Sequence, residues 1–358
     1  MVSLRALLEE MVKIRASDLH LTAGVPAQYR VDGDLVSSKV SGVLTPDMTQ
    51  RLAYSALNDE QKKVFENENE LDFSFGVKGL ARFRGNCFVQ RGVVTVVVRM
   101  IPFEVTPFEQ LGLPASVQKL GDLPRGLVLV TGPTGSGKST TLASLVDRIN
   151  GEKPLHIITI EDPIEFMHSH KRAIVNQREV GADTHSFKAA LRHVLRQDPD
   201  VILLGEMRDR ETMETALTIA ETGHLAFATL HTNSAMESIT RIVDSFPSDQ
   251  HDQVYSQLAF VLRGVITQTL LPKMSGNGRS MAAEVMICTP AISALVREGK
   301  VHQIYSLMQA GQKFGMQTMN QSLVALYNRK EISFEDAVGR SPDPKEFEGM
   351  IGRSMAMA

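Results

Sequence analysis

Cysteine and tryptophan are scarce in this chain. Its 358 residues include no tryptophan and two cysteines, Cys87 and Cys288, which lie far apart in the sequence. Two isolated cysteines form neither a Cys-x-x-Cys zinc unit nor the framework of a disulfide-stabilised secreted domain. We therefore expect both thiols to be reduced and buried.

Long hydrophobic runs are also missing. Strongly apolar stretches such as residues 93–98 are far shorter than the ~20 residues that a membrane-spanning helix needs. The amino-terminal residues carry acidic side chains where a signal peptide needs a basic start and an apolar run. These absences predict a cytoplasmic protein.

The chain has no strong excess of either charge. Lys and Arg number 38 against 41 Asp and Glu, which gives a formal net charge of -3. Because this near balance gives no general attraction to nucleic acid, we expect no nucleic-acid partner. The 43% hydrophobic and 22% charged residues are typical of a soluble globular protein, and the length favours more than one domain.

Residues 1–100 predict a small α+β domain. Apolar residues recur at helical spacing over 4–14, and Asp32-Gly33 supplies a tight turn between two short extended runs. In a strand over 81–90, Arg82 and Arg84 alternate with apolar positions, so both arginines leave the sheet on one face. The other predicted elements are a polar helix over 46–66 and strands over 71–77 and 92–100.

Residues 101–115 predict an extended linker between domains, since its prolines restrict the backbone. Over residues 116–358, short apolar strands alternate with helices, and beyond about residue 270 the chain turns mostly helical. Such alternation predicts an α/β domain with a parallel sheet covered on both faces. The predicted strands are 127–131, 156–160, 201–204 and 226–230.

A complete phosphate-loop motif follows the first of these strands and opens a helix, which is the context that the motif requires. Its glycines let backbone N–H groups approach the phosphates, and the helix N-terminus adds partial positive charge. Lys138 should reach the β- and γ-phosphates of ATP, Ser139 should ligate Mg²⁺, and Thr140 should help at the α-phosphate. The motif residues are Gly132, Pro133, Thr134, Gly135, Ser136, Gly137, Lys138, Ser139 and Thr140.

Acidic residues follow the next two strands. Carboxylates at the carboxyl ends of parallel strands face the crevice in which α/β proteins bind ligands. We expect Glu161 to orient the attacking water, with Asp162 and Glu165 as supporting candidates. Glu206 follows an apolar strand as in a Walker B motif, and should bind Mg²⁺ through its water shell, whereas Asp200 should be structural.

The fourth strand and several arginines supply further candidates. Thr229 and His231 follow that strand and can face the same crevice and sense the γ-phosphate, and we also expect a nucleotide-linked role for His224. Phosphoryl transfer gains from cations, but the residues alone do not choose among the arginines. The candidates are Arg82, Arg84 and Arg99 in the N-terminal domain and Arg208, Arg210, Arg241 and Arg263 in the core domain.

Together these segments resemble the secretion-type ATPases that drive type IV pili and type II secretion, and the resemblance covers essentially the whole chain. Two further segments, Ser17–Thr22 and Gly315–Met319, resemble signatures of the pilus-retraction branch of that family. The matching motifs are Gly132–Thr140 as Walker A, Thr159–Glu165 as the Asp box, Ile202–Asp209 as Walker B and Gly223–His231 as the His box.

The resemblance implies a PAS-like N-terminal domain, a RecA-like P-loop ATPase core and a ring-shaped homohexamer. It also implies that Arg82, Arg84 or Arg99 reaches a neighbouring subunit's nucleotide as an arginine finger. Assembly and secretion relatives usually carry a four-cysteine zinc insert and a longer N-terminal extension, so the lack of both favours retraction. The segment Ala291–Gly299 resembles the family's retraction-linked helix, with Ser293 and Ala294 in place of the usual Arg and Asn.

These observations favour a hexameric motor ATPase that uses ATP and Mg²⁺ to power pilus retraction and twitching motility. By the same resemblance, it would associate peripherally with the inner membrane at the pilus base. Its partners there would be an inner-membrane platform protein and other pilus motor ATPases. Two alternatives remain, namely an assembly or secretion motor of the same superfamily and a nucleotide-gated binding protein without motor activity.

Overall fold

The structure of the chain is a computed structural model that describes residues 2–31, 33–101 and 104–357, with side chains described through residue 352. The chain divides into two units. The N-terminal unit comprises the residues up to Glu104 together with Glu165–Met167, and the C-terminal unit comprises Val105–Ile164 and the residues from His168 onward. Within the described residues, no helix has the length and apolar character needed to cross a membrane.

The N-terminal unit is an antiparallel sheet packed against helices. Its elements are α1 (Leu4–Lys13), β1 (Asp18–Leu21), β2 (Gln28–Val31), β3 (Asp34–Ser37), α2 (Pro46–Tyr54), α3 (Asp59–Glu68), β4 (Glu70–Val77), β5 (Ala81–Gln90) and β6 (Val93–Ile101). The strand order is β3-β2-β1-β6-β5-β4. One face of the sheet buries residues such as Leu19, Tyr29 and Phe83 in the core of this unit. Because successive side chains of a strand alternate, the opposite face carries Arg82 and Arg84.

Most elements predicted for this unit are confirmed, with one correction. The predicted helix over 4–14 is α1, and the strands predicted at 71–77, 81–90 and 92–100 are β4, β5 and β6. The single polar helix predicted over 46–66 is wrong, because this segment forms α2 and α3. Asn58 begins α3 with a capping box, in which its side chain accepts a 2.8 Å hydrogen bond from the Gln61 amide.

Two predictions involve residues outside the described ranges. Asp32 of the predicted turn is one such residue, although β2 and β3 on either side of it pair antiparallel. Pro102 and Phe103 of the predicted linker are also outside. Farther along that stretch, Phe108 and Leu111 are buried in a hydrophobic cluster of the C-terminal unit. This part of the predicted extended linker is therefore packed structure, because its large apolar side chains are withdrawn from water.

The C-terminal unit alternates strands and helices around one sheet. Its order is α4 (Ala115–Leu120), β7 (Gly126–Thr131), α5 (Lys138–Glu152), β8 (His156–Glu161), β9 (Ile174–Glu179), α6 (Phe187–Val194), β10 (Val201–Leu204), α7 (Arg210–Glu221), β11 (Leu225–Leu230), α8 (Ala235–Val243), α9 (His251–Val261), β12 (Leu262–Pro272), β13 (Arg279–Ile287), α10 (Pro290–Arg297), α11 (Ile304–Gln309), α12 (Met319–Asn328), α13 (Phe334–Arg340) and α14 (Pro344–Met357).

The sheet of the C-terminal unit has the strand order β13-β12-β7-β11-β10-β8-β9. The four predicted strands are confirmed as β7, β8, β10 and β11, which pair in parallel at its centre. Three further strands were not predicted, namely β9, β12 and β13. The predicted parallel sheet is confirmed, and β13 adds an antiparallel strand at the edge beside β12.

Helices cover both faces of this sheet, as predicted. Alternate residues of one strand enter different cores: Leu127 and Leu129 of β7 pack with α6 to α10, whereas Val128 and Val130 pack with α4 and α5. The mostly helical segment that we predicted beyond about residue 270 starts only after β13. The helix that the resemblance implies at 291–299 is α10, in which Ile292 and Val296 are buried.

Candidate nucleotide-binding site

The predicted phosphate loop connects a fully buried strand to a long helix. Strand β7 is buried at every position and ends at Thr131, and α5 begins at Lys138. Three glycines between them, Gly132, Gly135 and Gly137, have φ of 134°, 79° and 90°. Residues with a Cβ rarely adopt these angles. The loop therefore needs glycine at each of these positions to wrap as it does.

The N-terminus of α5 suits an anion. Its N-cap is Gly137, and no side chain caps the helix there. The N–H groups of the first turn and the positive end of the helix dipole therefore face the loop. Pro133, Thr134 and Gly135 are exposed at the crest of the loop, and Ser139 and Thr140 lie half-buried in the first turn of α5.

Two polar side chains of the loop fit a phosphate ligand. The ammonium of Lys138 donates to the carbonyl oxygens of Gly132 and Pro133 at 2.8 and 3.1 Å. Burial lowers the pKa of Lys138, and the charge of Glu206 opposes this shift. In the part of the chain that the structure describes, the buried hydroxyl of Ser136 has no hydrogen-bond partner. A phosphate oxygen can accept from both groups, which therefore fit the predicted ligand.

Glu206 lies at the centre of a charged cluster beyond β10. Its carboxylate accepts from Arg208 Nη2 at 2.9 Å and lies 3.2 Å from His231 Nε2. Burial alone would raise the pKa of Glu206, but the hydrogen bonds and charges of Arg208 and His231 lower it below its usual value. The structure thus brings together the predicted Walker B glutamate, the predicted His231 and one of the seven candidate arginines.

Glu161 ends the neighbouring strand β8 and is held by two side chains. Thr159 Oγ1 donates to Glu161 Oε1 at 2.7 Å, and Gln177 Nε2 donates to the same oxygen at 3.2 Å. An added Cβ on Gly205 would lie 3.3 Å from the Glu161 Cα, so the backbone before Glu206 passes close to Glu161. Both predicted acids therefore lie at the carboxyl edge of the sheet, where the phosphate loop also begins.

The two predicted histidines occupy opposite edges. Thr229 lies in the last two residues of β11 and His231 follows the strand, both at the carboxyl edge of the sheet. The Thr229 hydroxyl donates to the Gly205 carbonyl. His224 precedes β11, where its carbonyl accepts from the Gly126 amide at 3.0 Å. Gly126 starts β7, a whole strand away from the phosphate loop. His224 therefore lies away from the phosphate loop of its own chain, and its nucleotide-linked role stays a prediction.

The remaining core-domain arginines do not join this cluster. Arg210 lies over the Phe246 ring, 5.4 Å from its centroid. Arg241 is exposed in the last turn of α8. Arg263 donates to the Phe260 carbonyl at 2.8 Å and lies beside Gly126, at the edge opposite the loop. Asp200 accepts from the His156 amide at 2.8 Å at that same edge, which agrees with its predicted structural role.

The three N-terminal arginines share one face of the six-stranded sheet. Arg84 is directly opposite Arg99 in the register of β5 and β6, and Arg82 is two residues from Arg84. Arg99 Nε lies 2.8 Å from Asp18 Oδ1, Arg84 Nη2 lies 3.8 Å from Asp72 Oδ1, and Arg82 Nη2 donates to Ser74 Oγ at 3.0 Å. Their role as arginine fingers stays a prediction.

The sequence did not predict the roles of four polar residues that support the acids and the loop, namely Thr159, Gln177, Thr141 and Gln268. For Thr159 a signal exists, because it lies two positions before Glu161 and side chains at that spacing share a strand face. Gln177 and Gln268 lie on strands that the sequence did not indicate. Thr141 lies within α5, where a buried threonine carries no motif of its own.

Comparison with known proteins decides the family. A family model described as "Type II/IV secretion system protein" matches residues 2–331. The chain belongs to this family. This membership agrees with the resemblance predicted from the four motifs.

Two curated relatives and one solved structure are similar to this family member over nearly its full length. "Type IV pilus retractation ATPase PilT" of Pseudomonas aeruginosa is 51% identical over 95% of this chain and 98% of its own length. "Type IV pilus ATPase PilU" of the same species is 43% identical over 96% of this chain and 90% of its own length. The structure "Crystal Structure of the Pilus Retraction Motor PilT and Bound ADP" matches with a TM-score of 0.92 and 52% identity, covering 98% of this chain and 100% of that one.

The structural match agrees with the predicted fold class. The chain has a mixed α/β fold, with a RecA-like P-loop core that follows a smaller α+β domain. Within the described residues, no group of three or more His, Cys, Asp or Glu side chains could hold a metal ion. Mg²⁺ that binds together with nucleotide phosphates needs only one or two protein ligands, so the predicted pair of Ser139 and Glu206 is compatible with this finding.

Proposed function

We propose that this chain is a motor ATPase that powers type IV pilus retraction and thereby twitching motility. One observation carries the proposal: the phosphate loop, Glu161 and the pair of Glu206 and His231 converge at the carboxyl edge of one sheet. Similarity to the retraction ATPase PilT over 95% of this chain supports retraction as the output of hydrolysis.

ATP would bind with its phosphates in the loop. The N–H groups at the start of α5 face these phosphates, and the ammonium of Lys138 transfers from the Gly132 and Pro133 carbonyls to the β- and γ-phosphates. Thr140 contacts the α-phosphate. The ADP of the similar PilT structure supports a nucleotide as the ligand.

Mg²⁺ would be held at the loop by oxygen ligands. The hydroxyl of Ser139 and the carboxylate of Glu206 are hard oxygen donors of the kind that Mg²⁺ prefers. Interactions with Arg208 and His231 lower the pKa of Glu206 and keep it ionised for this task. When bound, the metal supplies charge neutralisation at the β- and γ-phosphates.

Hydrolysis assigns separate roles to the acids at the strand ends. Thr159 and Gln177 fix one oxygen of Glu161, which leaves its carboxylate oriented to polarise the attacking water. Asp162 and Glu165 are supporting candidates. His231 lies 3.2 Å from Glu206, so displacement of this contact can report the presence of the γ-phosphate.

The motor would be a homohexamer with its ATP sites at subunit interfaces. Arg82, Arg84 or Arg99 would reach the nucleotide of a neighbouring subunit, where a cation stabilises the developing charge. Opening and closing of these interfaces would turn an inner-membrane platform protein. The ring would therefore lie in the cytoplasm, peripherally associated with the inner membrane at the pilus base, with other pilus motor ATPases as further partners.

Cells that lack this gene and carry Lys138→Ala as the complementing copy test the proposal. We expect abundant surface pili and no twitching, as in the deletion strain, because the loop has lost the ammonium that binds the phosphates. Lys188→Ala is the matched control, since Lys188 forms an exposed ion pair with Glu211 and lies outside the loop. That variant should restore twitching to the level of the wild-type gene.

Other outcomes of this experiment would contradict the proposal. Loss of pili in the deletion strain would make the chain an assembly motor. Full twitching with Lys138→Ala would leave only a nucleotide-independent binding role.

Two observations favour a second candidate, an accessory ATPase that assists another retraction motor. The chain is also 43% identical to PilU, and Ser293 and Ala294 of α10 depart from the usual retraction-linked sequence. In that case twitching would persist in the deletion strain and would weaken only when the other motor is impaired.

A further inference from the structure

A glutamine behind the phosphate loop connects the loop to α5. Gln268 lies on β12 and is fully buried, with 0% exposure. Its Nε2 donates to the Ser136 carbonyl at 2.9 Å, and its Oε1 accepts from the Thr141 hydroxyl at 3.0 Å. One buried amide therefore has one partner in the loop and one in the first turns of the helix that follows.

Both ends of the loop also pack directly on Gln268. A Cβ added to Gly132 would lie 2.3 Å from the Gln268 carbonyl oxygen, and one added to Gly137 would lie 3.2 Å from its Nε2. The first distance is far shorter than any normal contact between a Cβ and an oxygen. Glycine is thus required at Gly132 for two reasons, the backbone angle and the proximity of β12.

The hydrogen bond to Ser136 has a directional consequence. In a trans peptide unit the C=O and the following N–H point in opposite directions. Because the Ser136 carbonyl is directed at Gln268, the N–H of Gly137 is directed away from Gln268 and β12. Backbone N–H groups with this orientation are the donors that bind phosphate in such loops.

We propose that Gln268 is a positioning residue that orients the Ser136–Gly137 peptide for phosphate binding. The inference rests on the proposed function only in taking a nucleotide phosphate as the ligand. Thr141 completes the arrangement, because its hydroxyl bond holds the amide of Gln268 in the orientation that directs Nε2 at Ser136. An apolar residue of similar size would fill the same volume without a donor for the loop.

Gln268→Met tests the proposal, because methionine nearly matches glutamine in volume and has no N–H donor. We expect the dissociation constant for ADP to rise about tenfold, as for loss of a buried hydrogen bond, and the KM for ATP to rise by a similar factor with a smaller change in kcat. Calorimetry with ADP and steady-state phosphate release on the purified full chain measure these quantities. Wild-type affinity in a folded Gln268→Met would overturn the proposal.

The matched control removes a buried hydrogen bond from β13, the strand that pairs with β12 beside Gln268. Ser322 Oγ accepts from the amide of Ala283, the residue opposite Gln268 in that pairing, at 3.0 Å, and Ser322 lies on α12, outside the phosphate loop. We expect Ser322→Ala to bind ADP with wild-type affinity, whatever its effect on thermal stability. An equal loss of affinity in Ser322→Ala would show that Gln268 acts only through stability, which would overturn the proposal.

A second pair of variants decides the matter if Gln268→Met does not fold. Thr141→Val removes the hydroxyl that holds the Gln268 amide, whereas Thr141→Ser keeps it. We expect weaker ADP binding in the valine variant and recovery of wild-type affinity in the serine variant. Equal affinity of the two would overturn the proposal. Failure of the wild-type chain to bind ADP would instead contradict the proposed function, so the two failures are distinguishable.

Discussion

Glu161 and Glu206 are acids at the ends of neighbouring strands. Glu206 interacts with Arg208 and His231, and Glu161 accepts hydrogen bonds from the side chains of Thr159 and Gln177. Cationic partners keep a carboxylate ionised and suit it to a metal. The hydrogen bonds from Thr159 and Gln177 fix the orientation of the Glu161 carboxylate, which suits a group that activates water.

Glu161→Gln tests this division of roles. Glutamine keeps the size of the side chain and an oxygen that can accept from Thr159, but it cannot take a proton. We expect kcat for ATP hydrolysis to fall at least about a hundredfold, with ADP affinity close to wild type. Phosphate release and calorimetry measure the two quantities.

Glu298→Gln is the control for that variant, because Glu298 pairs with Lys300 at an exposed site. It should hydrolyse ATP at the wild-type rate. Full hydrolysis by Glu161→Gln would transfer the water-activating role to Asp162 or Glu165.

At the scale of elements, a side chain of strand β13 contacts the N-termini of two helices. These are α8, which follows the His box, and α12, which begins at the end of the Gly315–Met319 signature. Buried Glu284 accepts from the amide of Ala235, the first residue of α8, at 2.8 Å, and also from the amide of Met319, the first residue of α12. Burial raises the pKa of Glu284, and these two backbone hydrogen bonds oppose the shift. One carboxyl group thus satisfies the N-termini of two helices.

Removal of that carboxyl group should destabilise the C-terminal unit. We expect Glu284→Ala to lower the free energy of unfolding by about 3 kcal/mol, because two buried amides lose their acceptor. Glu284→Gln should lose less, since its amide oxygen still accepts a hydrogen bond. Urea unfolding of both variants at neutral pH measures the difference, and an alanine variant as stable as the wild type would show that water or other groups satisfy these amides.

The sequence predicted some strands of the C-terminal sheet and not others. Strands β7, β8, β10 and β11 were predicted because each is a short apolar run at the centre of the sheet. Strand β9 is at an edge of the sheet and has the sequence Ile-Val-Asn-Gln-Arg-Glu. It was not predicted, because its polar residues do not form an apolar run. Strand β12 follows α9 without an intervening turn and includes buried Thr267, Gln268 and Thr269, which do not resemble an apolar strand. The role of Gln268 was hidden for the same reason, since it depends on a strand pairing.

At the scale of the whole molecule, the proposed ring predicts that subunits complement one another. Lys138→Ala inactivates the phosphate loop and keeps all three arginines. Alanine at whichever of Arg82, Arg84 and Arg99 is the arginine finger keeps the loop and removes the finger. We expect each variant alone to hydrolyse little ATP and an equal mixture to recover activity, because roughly a quarter of randomly formed interfaces combine an intact loop with an intact arginine. Phosphate release from mixed, reassembled rings measures the recovery.

Two results of the mixing experiment would contradict the ring mechanism. No recovery for any of the three arginine variants would exclude their action in trans. A chain that stays monomeric with ATP and Mg²⁺ in size-exclusion chromatography would exclude the ring itself.

The ammonium of Lys138 is already shared between two carbonyl oxygens of its own loop. A phosphate that enters the loop therefore competes with these carbonyl oxygens for the ammonium. The net free energy of binding is the difference between the hydrogen bonds formed to the phosphate and those lost to the carbonyls. When the product leaves, the ammonium of Lys138 again donates to the same carbonyls. Departure of the product therefore leaves no charge without a hydrogen-bond partner. Such an exchange of partners favours release of the nucleotide over its tight binding. A motor ATPase needs this release, because each catalytic cycle ends with an empty site.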